Sequence, residues 1–243
     1  PDEYAPFQSD KFVYHDDPGD YSTNEPTMDG TACLVYYLSS MQSESMVTGH
    51  RKRSYTYDND GAIIRGDGQN KDLTLVFTAD EYAEGADEVL ETLDKHNIKA
   101  AFFLTGNFYR DAKNRKFIEK ALKQGHYLGA HSDKHLLYND WSKDKKLLVS
   151  REQFKSDLAA NYSEMEKYGI QKKEAPFFLP SYEWGDDIIA QWTDQMELTL
   201  INYTPGTLSN ADYTTPNMEN YKSSAEIFKS ILTYEEKEGM NGF

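Results

Sequence analysis

The sequence predicts an α/β fold in which parallel strands alternate with helices and close into a barrel. From residue 72 onward, short apolar runs typical of buried strands alternate with segments of helical periodicity. Strands joined through helices pair in parallel by right-handed crossovers. A continuously wound set of buried strands favours a barrel over an open sheet. Residues 1–71 are polar and turn-rich, so we expect an irregular N-terminal extension followed by one domain over residues 72–243.

Two elements are predicted within the extension. The apolar spacing of residues 32–46 predicts a helix that ends near Gly49. Residues 55–64 are predicted to form a hairpin, because Asn59 and Gly61 favour a turn between its two arms.

Five buried strands are predicted in the domain, because each run is apolar and rich in aromatic or branched residues. They are residues 73–78, 99–105, 126–130, 175–180 and 197–203.

Helices are predicted between and after these strands. The inward positions of three of them are Ala86, Val89, Leu90 and Leu93; Phe117, Ile118, Ala121 and Leu122; and Ile227, Phe228, Ile231 and Leu232. Gly125 is expected to end the second of these helices. A short helix is predicted over residues 186–192, with acidic residues at its positive N-terminal end.

The longest predicted helix covers residues 151–168. Ser150 and Gln153 have the spacing of a capping box, and Gly169 is expected to end the helix. Its inward stripe is predicted to be Phe154, Leu158, Tyr162 and Met165.

The charge of the chain bears on its partners. The 41 acidic and 26 basic residues give a formal net charge of −15, which argues against nucleic acid or an anionic membrane as partner. No apolar run reaches the length of about 18 residues that predicts a membrane span. The single cysteine, Cys33, excludes an internal disulfide. The missing initial Met favours a mature exported protein, extracellular or periplasmic.

Polar residues follow three of the predicted strands. Asp80 and Glu81 follow the first, His131 and His135 follow the third, and Tyr182 follows the fourth. Because the C-terminal ends of barrel strands meet at one mouth, we expect these side chains to converge.

The two histidines have the spacing of a metal site. On a helical turn, residues four apart place both imidazoles on one side, and two neutral imidazoles with one carboxylate form a catalytic zinc site that leaves a position for water. Asp80 and Glu81 are adjacent and point in different directions on an extended strand. One can therefore bind the metal while the other acts as a base; the alternative is an ordinary acidic loop.

The segments LTLVFTADE and HSDKH resemble the first two motifs of the polysaccharide deacetylase family (NodB-homology, carbohydrate esterase 4-like), and the likeness covers residues 72–243. His131, Ser132 and His135 match the second motif, His-Ser/Thr-x-x-His. The residues from Thr78 to Glu81 match part of the first, Thr-Phe-Asp-Asp-Gly. The resemblance implies a distorted (β/α) barrel that removes acetyl groups from a polysaccharide or oligosaccharide.

The same resemblance implies a role for each site residue. Asp80 would be the general base, and Glu81, His131 and His135 would hold a divalent metal ion such as Zn²⁺. Ser132 would steady the loop, and the backbone N–H of Tyr182 would bind the oxyanion.

The sequence departs from the family pattern in three motifs. The third motif, Arg-Pro-Pro-Tyr, is replaced by a run from Leu179 to Tyr182 that lacks the Arg. Residues 202–205 lack the Asp and Trp of the fourth motif, and the Leu-x-x-His strand of the fifth motif, which carries the general acid, is absent. We therefore expect that the chain is a fragment or that another segment, such as residues 1–71, closes the barrel.

Aromatic side chains follow the motifs in loops. Tyr138, Trp141 and Trp184 either floor a sugar-binding groove or anchor their loops. His126 lies at the start of its strand, at the wrong end for the site, and is expected to be structural.

Three functions are compatible with these residues. The first is a metal-dependent hydrolase that deacetylates a polysaccharide at nitrogen or oxygen, and the second is a catalytically impaired relative that binds carbohydrate. The third, a glycosidase, requires two carboxylates facing each other across about 5 to 9.5 Å. The neighbouring Asp80 and Glu81 do not offer that arrangement. A glycosidase would therefore need the distant Glu183 as its second carboxylate.

Overall fold

The computed structural model describes residues 55–66, 72–83 and 85–239. The helix predicted over residues 32–46 lies outside the described residues. The strands are β1 Thr56–Tyr57, β2 Ile63–Arg65, β3 Val76–Ala79, β4 Ala101–Leu104, β5 Tyr127–Ala130, β6 Phe177–Phe178 and β7 Thr199–Leu200. The α-helices of the described part are α1 Ala86–Lys95, α2 Gly106–Arg110, α3 Arg115–Lys123, α4 Arg151–Glu166, α5 Asp187–Asp194 and α6 Ser224–Glu238.

The centre of the fold is a parallel sheet in the order β3-β4-β5-β6-β7. Each neighbouring pair is parallel, and α1, α4 and α5 each follow one strand and precede the next. This is the parallel α/β architecture that the sequence predicted.

The core lies on both faces of β4 and β5, whose eight residues are all buried. Phe102 stacks on Phe77 at 5.2 Å between ring centroids and meets Phe117 edge-on at 5.4 Å. Aromatic pairs in such offset and edge-to-face arrangements stabilise a core beyond the area that they bury. The packing therefore fixes the strands whose ends support the site.

The hairpin predicted over residues 55–64 is present and joins the main sheet. β1 and β2 pair antiparallel, and Asp58 accepts the Ala62 backbone amide through its side chain. Ile63 forms a parallel bridge with Ile201, and Asn202 donates its amide to the Ile63 carbonyl. A part of the predicted extension thus lies beside β7.

The long helix α4 matches its prediction closely. Both halves of the capping box between Ser150 and Gln153 are formed. The chain leaves the helix through Gly169, whose φ of +83° favours glycine, and the Ile170 amide returns to the Met165 carbonyl.

Some predicted elements differ from the observed ones. β6 and β7 contain two residues each, and the ladder from β6 ends before Pro180, which has no N–H to donate. On α6, Phe228 is 61% exposed and Leu232 is 42% exposed, so the predicted inward stripe is wrong for these two residues. Helix α2 was not predicted, although Thr105 caps it by accepting the Phe108 amide.

Within the described ranges, no helix combines the length and the apolar character needed to cross a lipid bilayer.

Candidate active site

The side chains that follow three strands lie together at one edge of the sheet. Oδ2 of Asp80, after β3, is 3.9 Å from Nδ1 of His135. The rings of His131 and His135 are 5.2 Å apart between centroids, and the Tyr182 ring is 4.3 Å from that of His135. The structure therefore brings together Asp80, the two histidines and Tyr182, as expected of parallel strands that end at the same edge.

The N-terminus of α2 holds Asp80. Oδ1 of Asp80 accepts the Thr105 hydroxyl at 2.8 Å and the Asn107 side-chain amide at 3.1 Å. Because these two hydrogen bonds fix Oδ1, the second oxygen of the carboxylate, Oδ2, points toward His135. Glu81 is exposed at the site's margin, and its backbone carbonyl accepts the Lys113 ammonium.

The same helix end supports the histidine loop. The backbone amides of Gly106 and Asn107 donate to the carbonyls of Ser132 and Asp133. A Cβ on Gly106 would lie 1.8 Å from Oδ1 of Asp133, so a larger residue here would displace the Asp133 carboxylate from its present position. Arg110 forms an ion pair with Asp133 at 2.5 Å. Helix α2 thus connects Asp80 with the segment that carries both histidines.

The spacing of the two histidines predicted a helical turn, but the segment that brings them together is a loop. Ser132 and His135 have φ values of 73° and 53°, which are left-handed conformations. The Ser132 hydroxyl donates to Asp157 at 2.6 Å and accepts the Leu136 amide. Asp157 also accepts the amides of Asp133 and Lys134.

Asp157 and Asn161 are buried on the inner face of α4 and were not among the predicted site residues. Asn161 accepts the His131 amide at 2.9 Å and donates to the Leu104 carbonyl. Two polar residues four apart, interleaved with the apolar stripe of the helix, were the available signal.

The environment of His131 suits a metal ligand. Its ring is buried, and Nδ1 lies 2.8 Å from the Leu179 carbonyl, to which it donates. This tautomer leaves Nε2 with a free lone pair, as metal-binding histidines require. Burial lowers the pKa of His131 to about 3, so the imidazole is neutral. Burial also lowers the pKa of His135, although Asp80 and Glu81 oppose this effect.

Two imidazoles and a carboxylate are suitable ligands for a divalent ion, but the ligand atoms lie farther apart than in a formed metal site. In the part of the chain that the structure describes, no three His, Cys, Asp or Glu side chains form a group that could hold a metal ion. The 3.9 Å between Asp80 and His135 exceeds the separation of about 3.3 Å between two ligand atoms in a tetrahedral zinc site.

Three aromatic side chains, Tyr182, Trp141 and Trp184, extend outward from His135 and are called the aromatic ridge below. Trp141 meets Tyr182 edge-on at 5.7 Å and lies 5.5 Å from Trp184. Trp141 is 62% exposed and Tyr182 is 43% exposed. The Trp184 indole N–H donates to the Asp140 carbonyl, and the Lys145 ammonium lies 4.0 Å from the ring centroid. The ridge offers flat apolar surface beside the site.

Tyr138 does not belong to this surface. Its side chain is fully buried, between Phe154 and Phe178, and its hydroxyl faces Asp157. A ring without exposed surface cannot stack on a sugar, so the predicted binding role of Tyr138 is wrong.

His126 is structural, as predicted. It is buried at the opposite end of β5, where Nδ1 accepts the Ala100 amide. Burial lowers its pKa to about 4, with Lys99 adding to this effect.

Beyond the ridge lies a cavity of about 200 Å³, lined by Asp58, Asp60, Ala62, Ile64, Lys145, Pro180, Glu183, Trp184, Gly185, Leu200, Asn202, Tyr203 and Pro205. Lys145 bonds to Asp60 and to the Gly185 carbonyl. The hairpin and the loop after β6 are therefore joined at the cavity wall.

Comparison with known proteins identifies the family. A model of polysaccharide deacetylases matches residues 65–211, more than half of the 243 residues. The peptidoglycan-N-acetylmuramic acid deacetylase PdaA of Bacillus subtilis is 36% identical over 70 residues, which are 28% of this chain and 26% of that protein. Matched segments cover between 14% and 34% of the curated relatives' lengths.

Solved structures support the same fold. A family 4 carbohydrate esterase from Bacillus anthracis aligns with a TM-score of 0.54 and 22% identity over 76% of this chain and 84% of that one. BA3943 from the same organism, described as a family 4 pseudoenzyme, aligns with a TM-score of 0.57 and 19% identity over 72% of this chain and 54% of that one. Because the family model spans most of the described sheet and both structures share its fold, the chain belongs to the polysaccharide deacetylase family.

Proposed function

We propose that the protein is a metal-dependent hydrolase that removes acetyl groups from a polysaccharide, at nitrogen or oxygen. The observation that supports this most is the environment of His131, whose neutral ring directs Nε2 away from the Leu179 carbonyl while Asp80 faces the neighbouring His135. A purely structural imidazole needs neither a nearby second histidine nor a carboxylate oxygen directed at that second histidine.

His131 and His135 with one carboxylate would hold the ion, and Zn²⁺ suits this donor set. Such an ion, when bound, polarises the acetyl carbonyl and lowers the pKa of a bound water toward about 7. The contacts favour Asp80 as the carboxylate ligand, because Oδ1 is fixed by Thr105 and Oδ2 is directed at His135. Glu81, more exposed, would then accept the proton of the attacking water. This assignment reverses the two roles that the family resemblance implies.

The remaining groups would position the substrate. Tyr182 lies in the 3₁₀ turn Ser181–Glu183. If this turn continued toward the N-terminus, the Tyr182 amide would donate to the Leu179 carbonyl. That carbonyl instead accepts a hydrogen bond from the His131 ring. The Tyr182 N–H can therefore serve the oxyanion. Trp141 and Trp184 would stack on sugar rings beside the acetyl group.

The substrate class follows from the ridge and from the relatives. PdaA acts on peptidoglycan by its name, and we propose an acetylated glycan of this kind for the present chain. Peptidoglycan lies outside the cytoplasmic membrane, so the proposed location is extracellular or periplasmic.

One observation favours a second candidate, a catalytically impaired protein that binds carbohydrate. Leu179 stands where the family has the Arg that holds the base, and the open spacing of Asp80 and His135 agrees with a weakened metal site.

Metal content and acetate release test the proposal together. The purified chain should bind about one zinc ion, and it should release acetate from acetylated chitooligosaccharides, peptidoglycan or acetylxylan. His131→Gln should abolish both properties. His126→Gln is the matched control, because it changes a buried histidine at the other end of the same strand. Zinc-loaded protein that binds these glycans without releasing acetate would establish the second candidate.

A further inference from the structure

Glu183 follows the proposed oxyanion residue and is held rigidly. Tyr182 and Glu183 have φ values of 62° and 51°, two successive left-handed conformations in residues other than glycine. The Glu183 amide donates to the Pro180 carbonyl, and its own carbonyl accepts the Asn202 side chain. Strained backbone that the surroundings hold in place is concentrated at functional sites.

The carboxyl of Glu183 reaches the strand that carries Asp80. It interacts with the side chain of Thr78, which lowers the pKa of the carboxyl. Thr78 is the third residue of β3, and Asp80 directly follows the last residue of that strand. Glu183 therefore lies between the cavity that it lines and the end of β3, next to the residue whose ring contacts His135.

The surroundings of this carboxyl favour its protonated form. Burial raises the pKa of Glu183 to about 7, while the interaction with Thr78 opposes the shift and Asp212 adds to it. Burial also raises the pKa of Asp212, and burial together with Glu183 raises that of Tyr203.

The other charged groups that line the cavity do not stabilise the ionised form of Glu183. Asp58 and Asp60 are acidic, and the ammonium of Lys145 is bonded to Asp60 and to the Gly185 carbonyl. Among the described residues that line the cavity, the cation is thus already paired.

We propose that Glu183 is the general acid of the deacetylation, an inference that rests on the proposed function. Water adds to the acetyl carbonyl carbon and loses a proton to the carboxylate base. As the bond from that carbon to the sugar nitrogen or oxygen breaks, the Glu183 carboxyl gives its proton to the leaving atom. Acetate and the free amine or hydroxyl result, and Glu183 regains a proton from solvent.

The leaving group provides the test. Glu183→Gln keeps the size of the side chain but has no carboxyl proton. We expect it to lower kcat for N-acetylated chitooligosaccharides by about 10²- to 10⁴-fold. The phenolate of p-nitrophenyl acetate leaves without a proton, so its release needs no general acid. With this substrate, kcat of the variant should therefore differ from the wild-type value by less than about threefold. Zinc content should be unchanged.

The pH profile is the second readout. Wild-type kcat on the oligosaccharide should fall as the pH rises through about 7, the pKa of the Glu183 carboxyl, and the variant should lack this limb. Equal losses on both substrates, or wild-type kcat and an unchanged limb in the variant, would overturn the general-acid role while leaving deacetylation intact. Failure of the wild-type chain to release acetate from either substrate would overturn the proposed function as well.

Discussion

The hydroxyl of Thr105 lies 2.8 Å from Oδ1 of Asp80, and the same hydroxyl accepts the backbone amide of Phe108. One side chain therefore caps helix α2 and orients a carboxylate of the candidate site. The start of α2 also binds the histidine loop, so local helix formation and the geometry of the site are coupled through a single residue.

Replacing Thr105 with Val should disturb both functions, because the branched side chain keeps its shape but loses the hydroxyl. Loss of the cap should lower the free energy of unfolding by about 0.5–2 kcal/mol. Loss of the contact with Asp80 should lower zinc affinity or activity by about 10- to 100-fold. Chemical denaturation and zinc titration would measure these effects. Thr105→Ser, which retains the hydroxyl, should stay close to the wild type in both; a similar loss in both variants would contradict the coupling.

Asp157 should be important for the histidine loop although it contacts no substrate. Its carboxylate accepts the Ser132 hydroxyl and two backbone amides, and an Asn side chain would turn an N–H group toward these donors. Because hydrogen bonds to charged groups contribute about 1.5–3 kcal/mol each, Asp157→Asn should lower Tm clearly and weaken zinc binding. Glu166→Gln, at an exposed position of the same helix, should change stability by no more than about 0.5 kcal/mol. A wild-type zinc affinity in Asp157→Asn would show that the loop is held by other contacts.

The part of this architecture that could be predicted is the part that depends on local sequence. The capping box of Ser150 and Gln153 and the stop at Gly169 were both identified because cap and stop residues lie within a few positions of the helix that they bound. Strand ends that carry Asp80 and His131 could be placed at one edge, because parallel strands joined through helices leave little choice.

What could not be predicted depends on contacts between distant residues. Asn161 meets His131 across 30 positions, and nothing near either residue indicates that pairing. Tyr138 follows the histidines closely enough to be assigned to the groove, yet α4 covers its ring. The left-handed turn at Ser132 likewise requires Asp157, so the spacing of the histidines alone indicated the wrong local structure.

The roles of the two neighbouring carboxylates can be separated by measuring metal and catalysis independently. If Asp80 is the ligand, Asp80→Asn should lose bound zinc. Glu81→Gln should keep it while releasing acetate at least about 100-fold more slowly, as expected when a general base is removed. Zinc content by mass spectrometry and acetate release would decide. The opposite pattern, with zinc lost only in Glu81→Gln, would restore the roles that the family resemblance implies.

The raised pKa of Glu183 also predicts how stability depends on pH. Its carboxyl titrates at about 7 when folded and near the ordinary value of 4.5 when unfolded. Between these values the folded chain retains a proton that the unfolded chain has released, so its contribution to stability is full below pH 4.5 and is lost as the pH rises toward 7. Glu183→Gln should therefore show a smaller fall in Tm across this interval. Identical Tm profiles for the two proteins would show that the carboxyl titrates normally.

The exposed end of the aromatic ridge should affect substrate binding and not folding. Trp141 contacts Tyr182 edge-on and presents most of its surface to solvent, so Trp141→Ala removes stacking area without opening the core. If the ring stacks on a sugar with the energy of an aromatic pair, about 0.5–1.5 kcal/mol, KM should rise about two- to tenfold with Tm nearly unchanged. Trp141→Phe should recover part of the loss. Tyr138→Phe is the contrasting control, because that ring is buried and KM should not change. A KM that rises in Tyr138→Phe but not in Trp141→Ala would place the sugar elsewhere than on the ridge.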